Sequence, residues 1–145
     1  MARTYLRREL SDRAVPLQPA RMNFQSLVLH ASSVIALGVG LFALLAPQKL
    51  LESKGATISP AAVVWVREVG VNIFALGVMA FLLRGEPTSS ALRAFFIGNA
   101  VVQFGLLPIE ILAWRRGTLT RVSGIVPNSI LHAVLGVAFV SLAMK

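Results

Sequence analysis

Four long apolar runs separated by short polar stretches dominate the hydrophobic pattern of this chain. The predicted spans cover residues 23–46, 60–83, 91–114 and 125–144. Each is long enough for an α-helix to cross a bilayer, which takes about 20 apolar residues. Pro47 closes the first run, and Ser59 followed by Pro60 predicts the N-cap and first helical residue of the second. The pattern predicts an all-α integral membrane four-helix bundle, with residues 47–59 as its first short loop.

The polar start of the chain adds a second region to this picture. Residues 1–21 form a basic N-terminal arm with five arginines, ahead of the four-span transmembrane bundle at residues 22–145. The whole chain is 56% hydrophobic and only 14% charged, against about 25% charged in soluble domains. Most of its arginines flank the apolar runs, which favours contact with lipid head groups, and no nucleic-acid partner is expected.

Charge also predicts an orientation. The arm contributes five basic residues, the second loop contributes Arg84 and Arg93, and Lys145 brings that side to eight. The first and third loops together carry five. Because cytoplasmic loops are enriched in Lys and Arg, both termini are expected in the cytoplasm.

Polar residues inside the spans are the candidate site. Measured along each helix from the side of the first and third loops, they lie roughly 6 to 18 Å deep, so three helices place them in one slab. A polar residue in hydrocarbon needs a polar neighbour, so we expect these side chains to meet. The set is Arg67, Glu68, Asn72, Gln103, Glu110, Asn128 and His132.

Two readings of this slab stay open. In the favoured reading the groups bond across helices and fix their register, with Glu110 the better partner of Arg67 on depth. In the other, Arg67 binds an anionic or carbonyl-bearing ligand while His132 or Glu110 handles a proton. Deeper in the bundle, His30 and Asn99 match in depth, which predicts an inner polar contact between the first and third spans.

The inventory of reactive groups is short. The chain has no cysteine, and its two histidines lack the spacing of a metal site, so no metal is expected. No catalytic constellation can be assembled, so no catalytic residue and no resident cofactor are assigned. A quinone or lipid stays open as a ligand, and a haem or chlorophyll on a single histidine is a less favoured alternative. Glycines recur on the spans, which predicts close helix packing.

The layout resembles small bacterial four-span proteins of the DoxX-like kind and, more distantly, the four-span ergosterol-biosynthesis scaffold family. The resemblance covers most of residues 23–144 and not the basic arm. It implies association with membrane redox complexes or the tethering of enzymes, and it points to a bacterial inner membrane. The residues that carry it are Gly38, Gly40, Pro47, the run Arg67-Glu68-Val69-Gly70, Gly77, His132 and Gly136.

The sequence therefore favours a non-enzymatic integral membrane subunit or scaffold that packs against a larger membrane complex, for which a bioenergetic complex is one candidate. Its expected partners are the lipid bilayer and other membrane-protein subunits. The alternative is a small membrane enzyme or binding protein that acts on a quinone or lipid head group through Arg67, Glu110 and His132.

Overall fold

The computed structural model describes residues 23–145, which are helical apart from short turns. We number the five helices in this part of the chain α1 (Phe24–Leu45), α2 (Pro47–Lys54), α3 (Pro60–Leu83), α4 (Ser90–Arg115) and α5 (Val122–Ala143). Helices α1, α3, α4 and α5 are long and apolar enough to cross a membrane. The predicted all-α fold with four spans is confirmed, and the predicted arm at residues 1–21 lies outside the described residues.

Polar caps fix where three of the spans begin. The side-chain oxygens of Asn23, Ser59 and Ser89 each accept a hydrogen bond from the backbone N–H three residues later, at 2.8, 3.1 and 3.2 Å. Such bonds satisfy donors that a helix start would otherwise leave unpaired. Ser59 and Pro60 begin α3 as predicted. All four spans end within three residues of their predicted bounds.

The first loop contains a helix that the hydrophobic pattern missed. Residues 47–54 were expected to be loop, but they form α2. Pro47 occupies the first helical turn, where its missing N–H costs nothing, and Gly55 ends the helix at a left-handed φ of 65°. Because this segment is short and polar, it gives no signal in a search for apolar spans.

The spans pack as two helical hairpins, α1 with α3 and α4 with α5. Glycines bring α1 and α3 together, as predicted. A Cβ added at Gly40 would lie 2.6 Å from the backbone nitrogen of Phe74, and one added at Gly77 would lie 2.8 Å from that of Leu37. Other glycines, at positions 38, 98 and 105, face open space, because an added Cβ would meet nothing within 4 Å.

The two hairpins meet in an apolar core on one side of the bundle. Phe96 of α4 and Phe139 of α5 are fully buried there, with ring centroids 6.2 Å apart, and Leu29 of α1 packs into the same cluster. This is the terminal side, where residues 23 and 145 lie. Helix α2 and the turn after α4 lie on the opposite side, which we call the first-loop side. The apolar core therefore lies at the terminal end of the bundle.

Candidate functional site

A cavity of about 250 Å³ lies between the two hairpins. All four spans and α2 contribute to its wall, most of which is apolar, including Ile73 and Leu76 of α3, Leu106 of α4 and Leu131 of α5. A smaller set of polar residues interrupts this apolar wall. They are Ser32, Lys54, Asn99, Gln103, Glu110, Asn128 and His132.

Glu110 is the centre of the polar groups on the first-loop side. Its side chain is buried, and one carboxylate oxygen accepts a hydrogen bond from Asn128 Nδ2 at 2.7 Å and pairs with the ammonium of Lys54. The other oxygen accepts from Ser129 Oγ at 3.0 Å. A buried carboxylate is costly unless it is paired and hydrogen-bonded, and here α2 supplies Lys54 while α5 supplies Asn128 and Ser129. We call Lys54, Glu110, Asn128 and Ser129 the carboxylate cluster.

Gln103 and His132 form a second polar contact, deeper in the membrane. The Nδ1 atom of His132 is hydrogen-bonded to the side-chain oxygen of Gln103, which joins α4 to α5. With the amide oxygen as acceptor, Nδ1 donates, and Nε2 of the neutral ring is then left as an acceptor. The predicted meeting of Gln103, Glu110, Asn128 and His132 is thus observed as two adjacent contacts along one wall.

The three remaining predicted members of the slab point elsewhere. Arg67, Glu68 and Asn72 are exposed on the outer surface of α3, and the amide of Asn72 donates to the backbone carbonyl of Glu68 at 2.9 Å. The expected pairing of Arg67 with Glu110 is wrong, because Lys54 takes that place. The cause is rotational. Successive helical residues differ by about 100°, and α3 turns Val69, about 200° from Arg67, towards the cavity.

The predicted inner contact between His30 and Asn99 is also absent from the hydrogen bonds of residues 23–145. His30 Nδ1 bonds the carbonyl of Ser26 at 2.7 Å, one turn earlier in its own helix. Asn99 Nδ2 donates to the carbonyl of Phe95 at 3.0 Å, and its side chain lines the cavity. The depth count put the two residues at one level, but each side chain bonds a backbone carbonyl of its own helix and not the other residue.

Two members of the carboxylate cluster were missed at the sequence level. Lys54 was assigned to a loop, and Ser129 was not singled out. The end of helix α2 is anchored to the third loop, because the backbone carbonyl of Lys54 accepts hydrogen bonds from the N–H groups of Thr120 and Arg121 at 3.1 and 3.2 Å. This anchoring keeps Lys54 near Glu110. The helix-forming composition of residues 48–54 after a proline is a signal for helix α2, but it does not show that Lys54 meets Glu110.

Several cavity-lining polar atoms have no hydrogen-bond partner within residues 23–145. They are Nε2 of Gln103, Nε2 of His132 and the side-chain oxygens of Asn99 and Asn128. Of the buried side-chain polar atoms in this part of the chain, Ser33 Oγ is the one sealed off without a partner. The cavity-lining atoms are therefore accessible from the cavity, where they offer both donors and acceptors.

The described residues contain no group of three His, Asp or Glu side chains placed to hold a metal ion. The wall of the cavity could instead bind a ligand, through its apolar surface, the ammonium of Lys54, one imidazole and several amides. In comparisons with known proteins, the chain matches no family model, no curated protein and no solved structure.

Proposed function

We propose that this multi-pass membrane protein binds a lipid-soluble, oxygen-bearing amphiphile, a quinone or a lipid head group, in the cavity between its hairpins. The observation that supports the proposal is an apolar cavity that presents unpaired donors and acceptors at several depths. Ligand pockets typically combine a mostly apolar wall with a few well-placed polar groups. The protein acts here as a binding protein, and no residue is assigned a catalytic step.

The size of the cavity supports a small ring or a single chain segment. A cavity of about 150 Å³ lined by apolar side chains is large enough to bind benzene. At about 250 Å³, this one can hold one substituted ring or a head group with a short stretch of chain. A long tail would leave between the hairpins, into the surrounding lipid.

The polar groups favour a ligand that carries carbonyl or anionic oxygens. Gln103 Nε2 is a free donor halfway along the cavity, and Lys54 has further N–H groups besides the one directed at Glu110. Lys54 replaces Arg67 as the cationic group of the proposed site. His132 Nε2 would accept a hydrogen bond from a ligand hydroxyl. The middle of the cavity therefore suits a group that carries carbonyl oxygens, hydroxyls or both.

Binding of a short-chain benzoquinone and of a short-chain phospholipid to the detergent-purified protein tests the proposal. We expect one of the two to bind with a dissociation constant below the millimolar range. Gln103→Leu nearly keeps the volume of the wall but removes both the free donor and the acceptor of His132 Nδ1, so affinity should fall about fivefold to tenfold. Tighter binding of one probe shows whether the cavity takes a quinone or a lipid head group.

A matched pair of tryptophan variants tests the location. Leu131 lines the cavity, whereas Val134 on the same helix is 60% exposed on the outer surface. Leu131→Trp should reduce affinity at least tenfold, while Val134→Trp should leave it unchanged. Failure of both probes to bind, or equal affinity in the two variants, would contradict the proposal.

A second candidate function is that of a non-enzymatic subunit or scaffold in a larger membrane complex. A different observation favours it, namely that Arg67 and Glu68 are exposed on the outer surface of α3 at membrane depth. In this candidate, the carboxylate cluster serves only to hold the hairpins together. Recovery of the protein from native membranes in a stable assembly with other proteins, its cavity empty, would favour this candidate.

The orientation and location are part of the proposal. We place both termini in the cytoplasm, following the bias of basic residues, and the protein in a bacterial inner membrane, following the DoxX-like resemblance. A reporter fused after Lys145 that is active only in the cytoplasm tests the orientation.

A further inference from the structure

Helix α3 presents three faces, and only two of them are covered within residues 23–145. Gly70 and Gly77 pack against α1, and Ile73 and Leu76 line the cavity. The third face carries Arg67 and Glu68 and is exposed. Neither charged side chain forms an ion pair with any other residue of this part of the chain.

The depth of these two charges makes an exposed position costly. Counted from Pro60, Arg67 lies about 10 Å and Glu68 about 12 Å below the start of α3. Arg67 can extend towards the nearby membrane surface, because helical side chains lean towards the N-terminus of their helix. The shorter side chain of Glu68 cannot reach that surface. Glu68 therefore needs a positively charged or hydrogen-bonding neighbour from outside its own bundle.

The same face carries a heptad repeat. Val64, Val71 and Val78 are spaced seven apart, and Glu68, Ala75 and Leu82 are spaced seven apart and offset by four. All six are exposed. Residues that recur every seven positions stay close to one line along a helix, so the three valines can form the centre line of a contact between two parallel helices, with Glu68, Ala75 and Leu82 along one edge of it. We call this line of valines the seam. The small Ala75 and the compact valines allow close approach of a second helix in a membrane.

We infer that a second copy of this chain packs on this face, with the two α3 helices parallel and related by a two-fold axis along the membrane normal. At 100° per residue, Arg67 and Glu68 lie about 50° on either side of the line through the valines. The two-fold rotation then places Arg67 of each copy beside Glu68 of the other, with a depth difference of about 1.5 Å. Two ion pairs form across the interface.

A second copy suits this face because the face is complementary to itself. The adjacent charges of Arg67 and Glu68 are matched by a partner helix that presents a negative charge opposite Arg67 and a positive charge opposite Glu68 at the same depth. A two-fold axis gives a second copy of α3 this arrangement, so no different partner sequence is needed. Copies inserted in the same direction are necessarily parallel, as the seam requires. This inference uses none of the cavity residues, so it goes beyond the proposed binding function and can fail independently of it.

Cysteine cross-linking tests the inference cleanly, because the chain contains no cysteine. Val71 lies on the proposed seam about 17 Å below the start of α3, and it is 56% exposed. Val134 of α5 lies about 18 Å below the start of its helix, is 60% exposed, and serves as the matched control. Under mild oxidation in dilute lipid vesicles, Val71→Cys should give a product of twice the 15.6 kDa chain mass, and Val134→Cys should not.

Charge exchange then tests the pairing itself. Arg67→Glu places two glutamates opposite each other at both ion-pair positions of the dimer, and Glu68→Arg places two arginines there. In a protein that also carries Val71→Cys, the cross-linked dimer fraction should therefore fall about tenfold or more. The double exchange re-forms both pairs in reverse, and it should restore cross-linking to within about threefold of the parent. Equal cross-linking at positions 71 and 134, no recovery in the double exchange, or an adduct in native membranes with a different protein only would overturn the inference.

Discussion

Replacing Glu110 with glutamine tests how much the carboxylate cluster contributes to holding the two hairpins together. The substitution keeps the shape of the side chain but removes its charge and one acceptor oxygen. Asn128 can still donate to the remaining carbonyl oxygen, whereas Lys54 loses its counter-charge and Ser129 loses its acceptor.

The expected cost follows from these losses. Interhelical hydrogen bonds in membrane proteins contribute about 0.6 kcal/mol on average and up to about 1.7 kcal/mol. Loss of two such contacts predicts that Glu110→Gln lowers the free energy of unfolding by about 1–3 kcal/mol. The value stays moderate because the Lys54 side chain is 23% exposed, so its ammonium can turn towards water once it is unpaired.

Unfolding in mixed micelles, followed by the loss of helical circular dichroism, measures this difference. Glu52→Gln is the matched control, since Glu52 is exposed on the same short helix as Lys54. Combining Glu110→Gln with Lys54→Met should cost less than the two single losses added together, because both remove the same ion pair. Equal stability of the Glu110→Gln and Glu52→Gln proteins would refute the reasoning.

Three further predictions concern local backbone geometry, and the same unfolding measurement checks each. Gly40→Ala should destabilise by about 1–3 kcal/mol because its Cβ would collide with the backbone of Phe74, whereas Gly38→Ala, with no atom nearby, should be neutral or slightly stabilising. Gly55→Ala should cost at least about 1 kcal/mol, since φ there is 65°, and an unchanged stability would refute that strain. Ser89→Ala should cost about 1 kcal/mol through loss of the α4 cap.

The depth of a polar side chain in the membrane could be predicted from the sequence, but the direction in which it points from its helix could not. The fixed rise per residue of a helix put Gln103, Glu110, Asn128 and His132 in one slab. The structure joins Gln103 to His132 and Glu110 to Asn128. The same count gave Arg67 a suitable depth for Glu110, but it contains no information about which way α3 turns. The packing of Gly70 and Gly77 against α1 decides that rotation. Those two glycines lie only about 60–80° round α3 from Arg67, so taking them as the buried face would not by itself have shown whether Arg67 faces the cavity or the outer surface.

The short helix α2 shows a different limit. Its segment is polar, so the hydrophobic pattern assigned it to a loop, and Lys54 was left out of the site. What positions Lys54 is a contact with residues far away in the chain, the backbone N–H groups of Thr120 and Arg121. Contacts of this kind depend on how two loops come together on one side of the bundle, which local sequence patterns do not encode.

The turn between α3 and α4 is a position at which the chain could be divided without separating either hairpin. Residues 84–89 are the covalent connection between the two hairpins, while the Lys54 contacts to Glu110, Thr120 and Arg121 join the hairpins on the opposite side of the membrane. A break in this turn leaves each half as a complete pair of antiparallel helices, with both ends on one side of the bilayer. Two separately translated polypeptides, one for each hairpin, should then associate through their complementary surfaces and re-form the bundle.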